Sequence, residues 1–400
     1  MSEAEEDAIG GTCECEENEI LVGSEEQAVK IEMNHPFRDV DASYLPPFSD
    51  DIALQILARL PSSKYCDLRL VNRRFSSLIR SGELNEIRKK IGLKEPKIFL
   101  HLGEACYQCY EPHTRSCWDL PVCPDDKTTP YRAKELFCVG THLLVLGIIS
   151  VDVDLWSDSD IWRYELELNR WFNGPMMITP RYAFASADCG SVACVAGGEQ
   201  QGSEEVLNNA EKYNPESKSW ELLPSMNRRR CFCSGFYMDS KFYVIGGINE
   251  NHDLLTCGEC YDFERNVWEL IPNMIVDDPS RTFKSPRPPY QVAVVNNELY
   301  YLDAPSRHLK VYLKNNNTWK KVGRLPASME FFLSRGAALK SLGGELFLIS
   351  GKLHNRSRRL ETILCFCTPS PELDNVEWRV LYFNRQEGNP TIYNYCVMMA

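Results

Sequence analysis

The stretch that decides the fold is Val195-Ala196-Gly197-Gly198 running on to Trp220, because the chain repeats it at once as Val244-Ile245-Gly246-Gly247 running on to Trp268. Trp220 lies 22 positions after Gly198, and Trp268 lies 21 after Gly247. Each copy has a β-branched or apolar run into the Gly pair, then a polar loop and a short aromatic strand. In that strand a Tyr (Tyr213, Tyr261) stands seven positions before the Trp. Leu223-Pro224-Ser225-Met226 and Ile271-Pro272-Asn273-Met274 close the two copies. A unit of about 50 residues that reads as four short strands cannot bury both of its own faces, so copies must pack side by side around an axis.

Outward from these copies, tryptophans recur at Trp118, Trp171, Trp220, Trp268, Trp319 and Trp378, at intervals of 53, 49, 48, 51 and 59. Six tryptophans predict six blades. The Gly pair degenerates outside the central copies, where Leu146-Gly147, Leu302-Asp303-Ala304 and Ile349-Ser350-Gly351 take its place. The first blade has no inner strand ahead of Lys97-Ile98-Phe99-Leu100-His101, whereas Tyr395-Cys396-Val397-Met398-Met399 is left over at the other end. Pairing the two closes the circle and leaves no open sheet edge.

Composition fits a large β ring. With 44% hydrophobic and 11% aromatic residues among 400, the chain can bury an extensive core, and its Trp and Tyr content suits strands. The longest apolar run, Leu143 to Val151, is far too short to span a bilayer, and no signal peptide opens the sequence. A soluble protein of the nucleus and/or cytoplasm is expected. The 17 cysteines are odd in number and sit mostly in predicted strands, which favours reduced, buried thiols over a disulfide framework.

Met1 to Asn34 carries eleven carboxylates against the single Lys30, a net of −10 out of the chain's −12. Such an arm is expected to be solvated and disordered, and the remainder is nearly neutral.

Between the arm and the ring the character changes at Leu45-Pro46-Pro47-Phe48-Ser49-Asp50-Asp51-Ile52. Ser49 is a candidate N-cap, Asp50 and Asp51 favour the positive end of a helix, and Ile52, Ile56, Leu57 and Leu60 recur at helical spacing until Pro61 stops it. A second amphipathic stretch sets Leu68, Val71, Phe75, Leu78 and Ile79 against Arg69, Arg73, Arg74 and Arg80. About 40 residues of helix cannot bury their apolar faces well alone, which predicts a partner.

The order Leu45-Pro46, Asp51-Ile52, Ile56-Leu57, Leu60-Pro61, Leu68, Val71-Asn72-Arg73-Arg74-Phe75 and Leu78-Ile79 resembles an F-box. That helical module docks on the Skp-type adaptor of cullin-based ubiquitin ligases. Phe75 stands where that family usually has Trp. The resemblance implies that Leu45, Pro46, Ile52, Ile56, Leu57, Leu60, Pro61, Leu68, Val71 and Phe75 divide between the module's own core and the adaptor groove. Sequence alone leaves open which residue does which.

The 50-residue units resemble kelch repeats, most clearly in the third and fourth. The whole chain looks like a plant-type F-box/kelch-repeat protein. It is expected to be mainly β, a six-bladed kelch β-propeller with a small N-terminal α-helical F-box module. The expected divisions are an acidic tail over 1–41, the F-box over 42–88, a short helical linker over 89–96 and the propeller over 97–400, closed by strand 395–399.

Arg181, Arg230 and Arg287 each lie sixteen residues before the first Gly-pair position (Gly197, Gly246 and Asp303), with Arg132 and Arg335 in register within one residue. Rotation about the axis puts such positions at one height. They form either a ring of guanidiniums that grips acidic or carbonyl-rich client segments, or a set of ties to neighbouring loop carbonyls.

Other chemistries find no support in the sequence. The Cys106/Cys109 and Cys257/Cys260 pairs fall in different blades, too far apart to predict a zinc site, and the seven histidines are scattered with no copper ligand set. No Gly-rich loop leads into a helix, so no cofactor is expected. Neither a nucleic acid nor a membrane is an expected partner, because the folded part is not basic overall. The reading is a non-catalytic receptor bound to a Skp-type adaptor and cullin, holding a client on the ring. The alternative is an interaction scaffold with no ligase role.

Overall fold

The structure is a computed structural model that describes residues 43–101, 106–112, 114, 116–124, 134–147, 161–203, 205–275, 291–303, 306–326, 338–353, 360–383 and 394–399. The acidic arm lies outside them.

Four helices come first: α1 (Asp50–Leu57), α2 (Tyr65–Arg69), α3 (Arg73–Ser81) and α4 (Glu83–Lys90). The second amphipathic stretch is therefore two helices and not one. Asn72 breaks it, because its side-chain oxygen accepts the Phe75 amide at 2.9 Å and starts α3 afresh. Leu70 and Val71 consequently fall in the turn between α2 and α3, and Val71 does not continue the Phe75 face. Gly82, at φ +76°, makes the left-handed break between α3 and α4. Ser49 takes the N-cap position of α1 without a side-chain cap bond. Asp50 organises that end instead, accepting the Tyr44 amide at 3.0 Å and pairing with Arg74 at 2.6 Å.

Apart from a 3-10 turn at Ser62–Lys64, the remaining described elements are strands, in six four-stranded antiparallel sheets and one two-stranded ribbon that pairs Arg181–Tyr182 with Glu199–Gln200. Blade 3 is 185–188, 193–196, 210–214 and 219–223; blade 4 is 234–238, 241–245, 258–262 and 267–271. Blades 2, 5 and 6 follow the same order from the axis outward. Blade 1 differs: its innermost strand is Asn394–Met399, in register with Pro96–His101 through pairs such as Phe99 with Cys396 and Ile98 with Val397.

Alternation explains why such short strands hold. In Lys241–Ile245, Phe242 and Val244 pack toward blade 3, whereas Tyr243 and Ile245 pack toward blade 5. In His142–Gly147, Leu143 and Val145 pack toward blade 1 and Leu144 and Leu146 toward blade 3. Each of the six buried clusters of the ring sits at a junction between two neighbouring blades. Both faces of a sheet are thus buried, and no blade has a core of its own.

The tryptophans stitch the same junctions. The indole N–H of Trp171, Trp220 and Trp268 donates to the carbonyl of Pro121, Pro175 and Pro224 at 2.6–2.9 Å, and that of Trp319 donates to Met274 at 2.8 Å. Each of these rings tilts against the Tyr seven positions earlier, with centroids 5.2–5.4 Å apart. The Gly pair is fixed by backbone shape and crowding together. Gly197 and Gly198 lie at φ +67° and +96°, and a Cβ on either would sit within 2.5 Å of a carbonyl oxygen, Arg230 or Tyr182.

Candidate functional site

Two places carry the residues singled out in the sequence: the helical module and the loops where Arg181 and Arg230 sit.

The helical module closes a small core of its own. Leu57, Ala58, Tyr65, Phe75, Leu78 and Leu84 are buried together, with Tyr44, Leu45, Leu54, Leu60, Leu68, Ile79 and Ile87 partly buried around them. Phe75 is therefore an internal packing residue, edge-on to Tyr44 at 5.4 Å. That interior is already filled, yet large apolar side chains remain outside. Leu70 is 87% exposed, Val71 60%, Ile52 51%, Phe48 46% and Ile56 40%, and Pro46 is exposed as well. Ile52 and Ile56, four apart, line one side of α1, with Phe48 just ahead of the helix, while Ala53 and Leu57 line the buried side.

The ten residues assigned to module and adaptor together thus separate. Leu57 and Phe75 are core, and Leu45, Leu60, Pro61 and Leu68 are half-buried at its margin. Pro46, Ile52, Ile56 and Val71 face outward. Leu57, at 2% exposure, is no part of a docking face. Two outward residues escaped the sequence reading. Phe48 precedes the helix whose period was being followed, and Leu70 falls in a turn that the uninterrupted amphipathic reading did not allow.

A polar junction joins the module to blade 1. The Glu95 carboxylate accepts the Ser62 amide at 3.0 Å and the Ser62 hydroxyl at 2.9 Å, and pairs with the Arg88 guanidinium at 2.8 Å. Arg88 also donates to the carbonyls of Ala58 and Leu60 at the end of α1, each at 2.8 Å. The buried Lys97 ammonium bonds Ser62 and lies 3.2 Å from Glu111 on the next strand of blade 1. Burial pushes the pKa of Glu111 up, but donors on Ser63 and Thr114 together with the Lys97 charge outweigh it and hold the carboxyl down at about 2. Ser63 and Thr114 add a hydroxyl contact at 3.5 Å. A desolvated network with partners on every side fixes one relative orientation, because any rotation strands a buried charge.

The arginine positions are wired otherwise than a client-gripping ring requires. Both described members have fully buried side chains. Arg181 donates to the carbonyls of Gly197 at 3.0 Å and Asn209 at 2.9 Å, and pairs with Glu211 at 2.5 Å. Arg230 repeats this with Gly246 at 3.0 Å, Cys257 at 3.1 Å and Glu259 at 2.7 Å. Glu211 and Glu259 in turn accept pairs of loop amides, from Ile178 and Thr179 and from Asn227 and Arg228. The ring expectation is corrected at Arg181 and Arg230: these guanidiniums tie the loop after the Gly pair to the blade beneath and, fully buried, present no donor at the surface to a client. Arg132, Arg287 and Arg335 lie outside the described residues. The two glutamates were missed, although each stands two residues before the repeat's Tyr.

Among the described residues no three His, Cys, Asp or Glu side chains converge as a metal would need, and no helix is long and apolar enough to cross a membrane.

Known families match both regions. The F-box domain family matches residues 46–86, and the kelch motif family matches residues 195–227 and 229–275. The F-box/kelch-repeat protein At3g27150 of Arabidopsis thaliana is 39% identical over 389 residues, covering 94% of this chain and 89% of the relative. A second, At1g26930 from the same organism, is 34% identical over 368 residues, covering 88% and 83%. The matched segments coincide with the helical module and with the two blades whose Gly pairs are intact, and the long alignments run through the rest. The chain belongs to the F-box/kelch-repeat proteins.

Proposed function

We propose that this protein is a non-catalytic client receptor of a cullin-based ubiquitin ligase. The outward face of the helical module docks on a Skp-type adaptor, which in turn joins the cullin. The propeller holds a protein client, and ubiquitin transfer is carried out by other subunits. The carrying observation is the excess of apolar side chains on a module whose interior is already full: Phe48 just ahead of α1, Ile52 and Ile56 along it, and Leu70 and Val71 in the turn between α2 and α3. Burying one such side chain is worth about 1.5–3 kcal/mol, so a groove taking several of them binds firmly by itself. The buried junction from Arg88 through Glu95 to Glu111 supports the same reading, since a receptor must present its client at a set distance and angle.

The test is capture of a Skp-type adaptor by the full chain and by the Ile56→Asp and Leu70→Asp variants. The expected result is capture by the unchanged protein and its loss in both variants, with melting of the protein unaltered. Equal capture by all three would sink this face as the docking site. Absence of capture even by the unchanged protein would favour a propeller scaffold with no ligase role.

A further inference from the structure

We propose that Cys138 and Cys396 form a disulfide-forming pair, a modification site that converts the ring's non-covalent closure into a covalent one under peroxide. Cys396 belongs to Asn394–Met399, the strand that completes blade 1, and Cys138 to Lys134–Val139, the innermost strand of blade 2. Their Sγ atoms lie 2.8 Å apart across 258 residues of sequence, in contact inside a buried cluster shared by the two blades. Both are free thiols. A bond between them would fasten the closing strand on the side where no ladder joins it to the innermost strand of blade 2. Its other side is held by the ladder to Pro96–His101.

The surroundings decide when the bond can form. Burial pushes the Cys138 thiol well up and contact with Cys396 adds to this, so in the closed ring Cys138 stays protonated and slow to react. The closing strand, laddered on one side only, has little to lose on opening, and brief lifting brings Cys396 into water. There its thiolate attacks one oxygen of hydrogen peroxide, the O–O bond breaks, and hydroxide leaves as the sulfenic acid forms. When the strand zips back, the Cys138 sulfur attacks the sulfenic sulfur and the S–S bond replaces S–O. In sum two thiols lose two electrons and two protons, and one peroxide becomes two waters.

Neighbouring cysteines serve as internal controls. Cys109 stands opposite Phe99 on the far side from Cys396, and Cys123 lines the same cluster. Cys189 and Cys194 also approach each other, but within one hairpin, where a bond would leave the seam untouched.

The experiment treats the full chain with graded hydrogen peroxide, blocks remaining thiols, and maps linked peptides by mass spectrometry without reduction. Melting is followed with and without dithiothreitol. The expected result is a Cys138–Cys396 peptide as the first link to accumulate. It should come with a rise in melting temperature of roughly 5 to 10 °C that dithiothreitol reverses, as suits a link closing a loop of this length. Cys109→Ser should keep both effects, and Cys396→Ala and Cys138→Ser should lose both. Mapping in the unchanged protein stands even where a variant folds poorly. The proposal is overturned if peroxide leaves this pair unlinked while the protein stays folded, if another pair links first, or if the thermal gain persists in Cys396→Ala.

Discussion

A blade and the helical module solve the burial problem in opposite ways. A blade of the ring has no interior, yet most of its apolar side chains find company, because Val244 and Ile245, adjacent on one strand, are completed by different neighbours; Val122 and Leu222 are among those left exposed. The module has an interior built on Leu57, Phe75, Leu78 and Leu84, yet leaves Leu70 and Val71 in water. Apolar surface inside the ring is explained by the ring. Apolar surface left on the module has no explanation within the described chain, and so points to another molecule.

The largest expected effect tests the blades' interdependence. Arg230→Ala strands the Glu259 carboxylate with no cation in a dry site and frees the loop carbonyls of Gly246 and Cys257, at a cost of about 3–5 kcal/mol. Calorimetry should show the whole propeller melting earlier as one transition; loss confined to blade 4 would break the account of shared cores. Leu57→Ala is expected to cost about 2–5 kcal/mol through the cavity it leaves in the module. Adaptor capture should fall while the propeller's transition stays in place, and an unmoved module would show that Leu57 is not its keystone.

A smaller, pH-dependent effect belongs to His142 on the inner side of blade 2. Burial pushes its imidazole down to about 4, with Glu165 opposing, so the folded state refuses a proton that the unfolded chain accepts near 6.5. Stability from this site is present above about 6.5 and is lost as pH falls toward 4. His142→Gln should flatten the melting-temperature profile across that window, and a profile identical to the unchanged protein would count against the burial argument. The smallest effect is at the module's face. Leu70→Asp should shift stability by no more than about 0.5 kcal/mol, since the side chain touches little, while it abolishes adaptor capture. A large stability loss there would erase the contrast between ring and module.

Much of this architecture was legible because repetition amplifies weak signals. One Trp predicts little, but six at 48 to 59 residue intervals predict six sheets, and a strand missing at one end with another spare at the other predicts their pairing. The module was legible only in part. Helical period marked Ile52, Ile56 and Leu57 alike, since a period shows which residues share a side but not which side the rest of the molecule covers. Asn72 erased the period just where it mattered, placing Leu70 and Val71 in a turn. The arginines failed for a related reason. Equal spacing from the Gly pair correctly placed Arg181 and Arg230 at equivalent positions, but whether those side chains face the axis or the loop depends on Glu211 and Glu259, which approach from another strand.

The seam in blade 1 also sets an order of manufacture. On the ribosome the helical module and the outer strands of blade 1 emerge early, whereas the strand that finishes this blade emerges after the other five have been made. Until Asn394–Met399 arrives, Pro96–His101 exposes a bare row of amides and carbonyls beside a helical module that is already made. A nascent or prematurely stopped chain would therefore carry a complete helical module on an unfinished ring with an open sheet edge, a species that chaperones must shelter or quality control must remove.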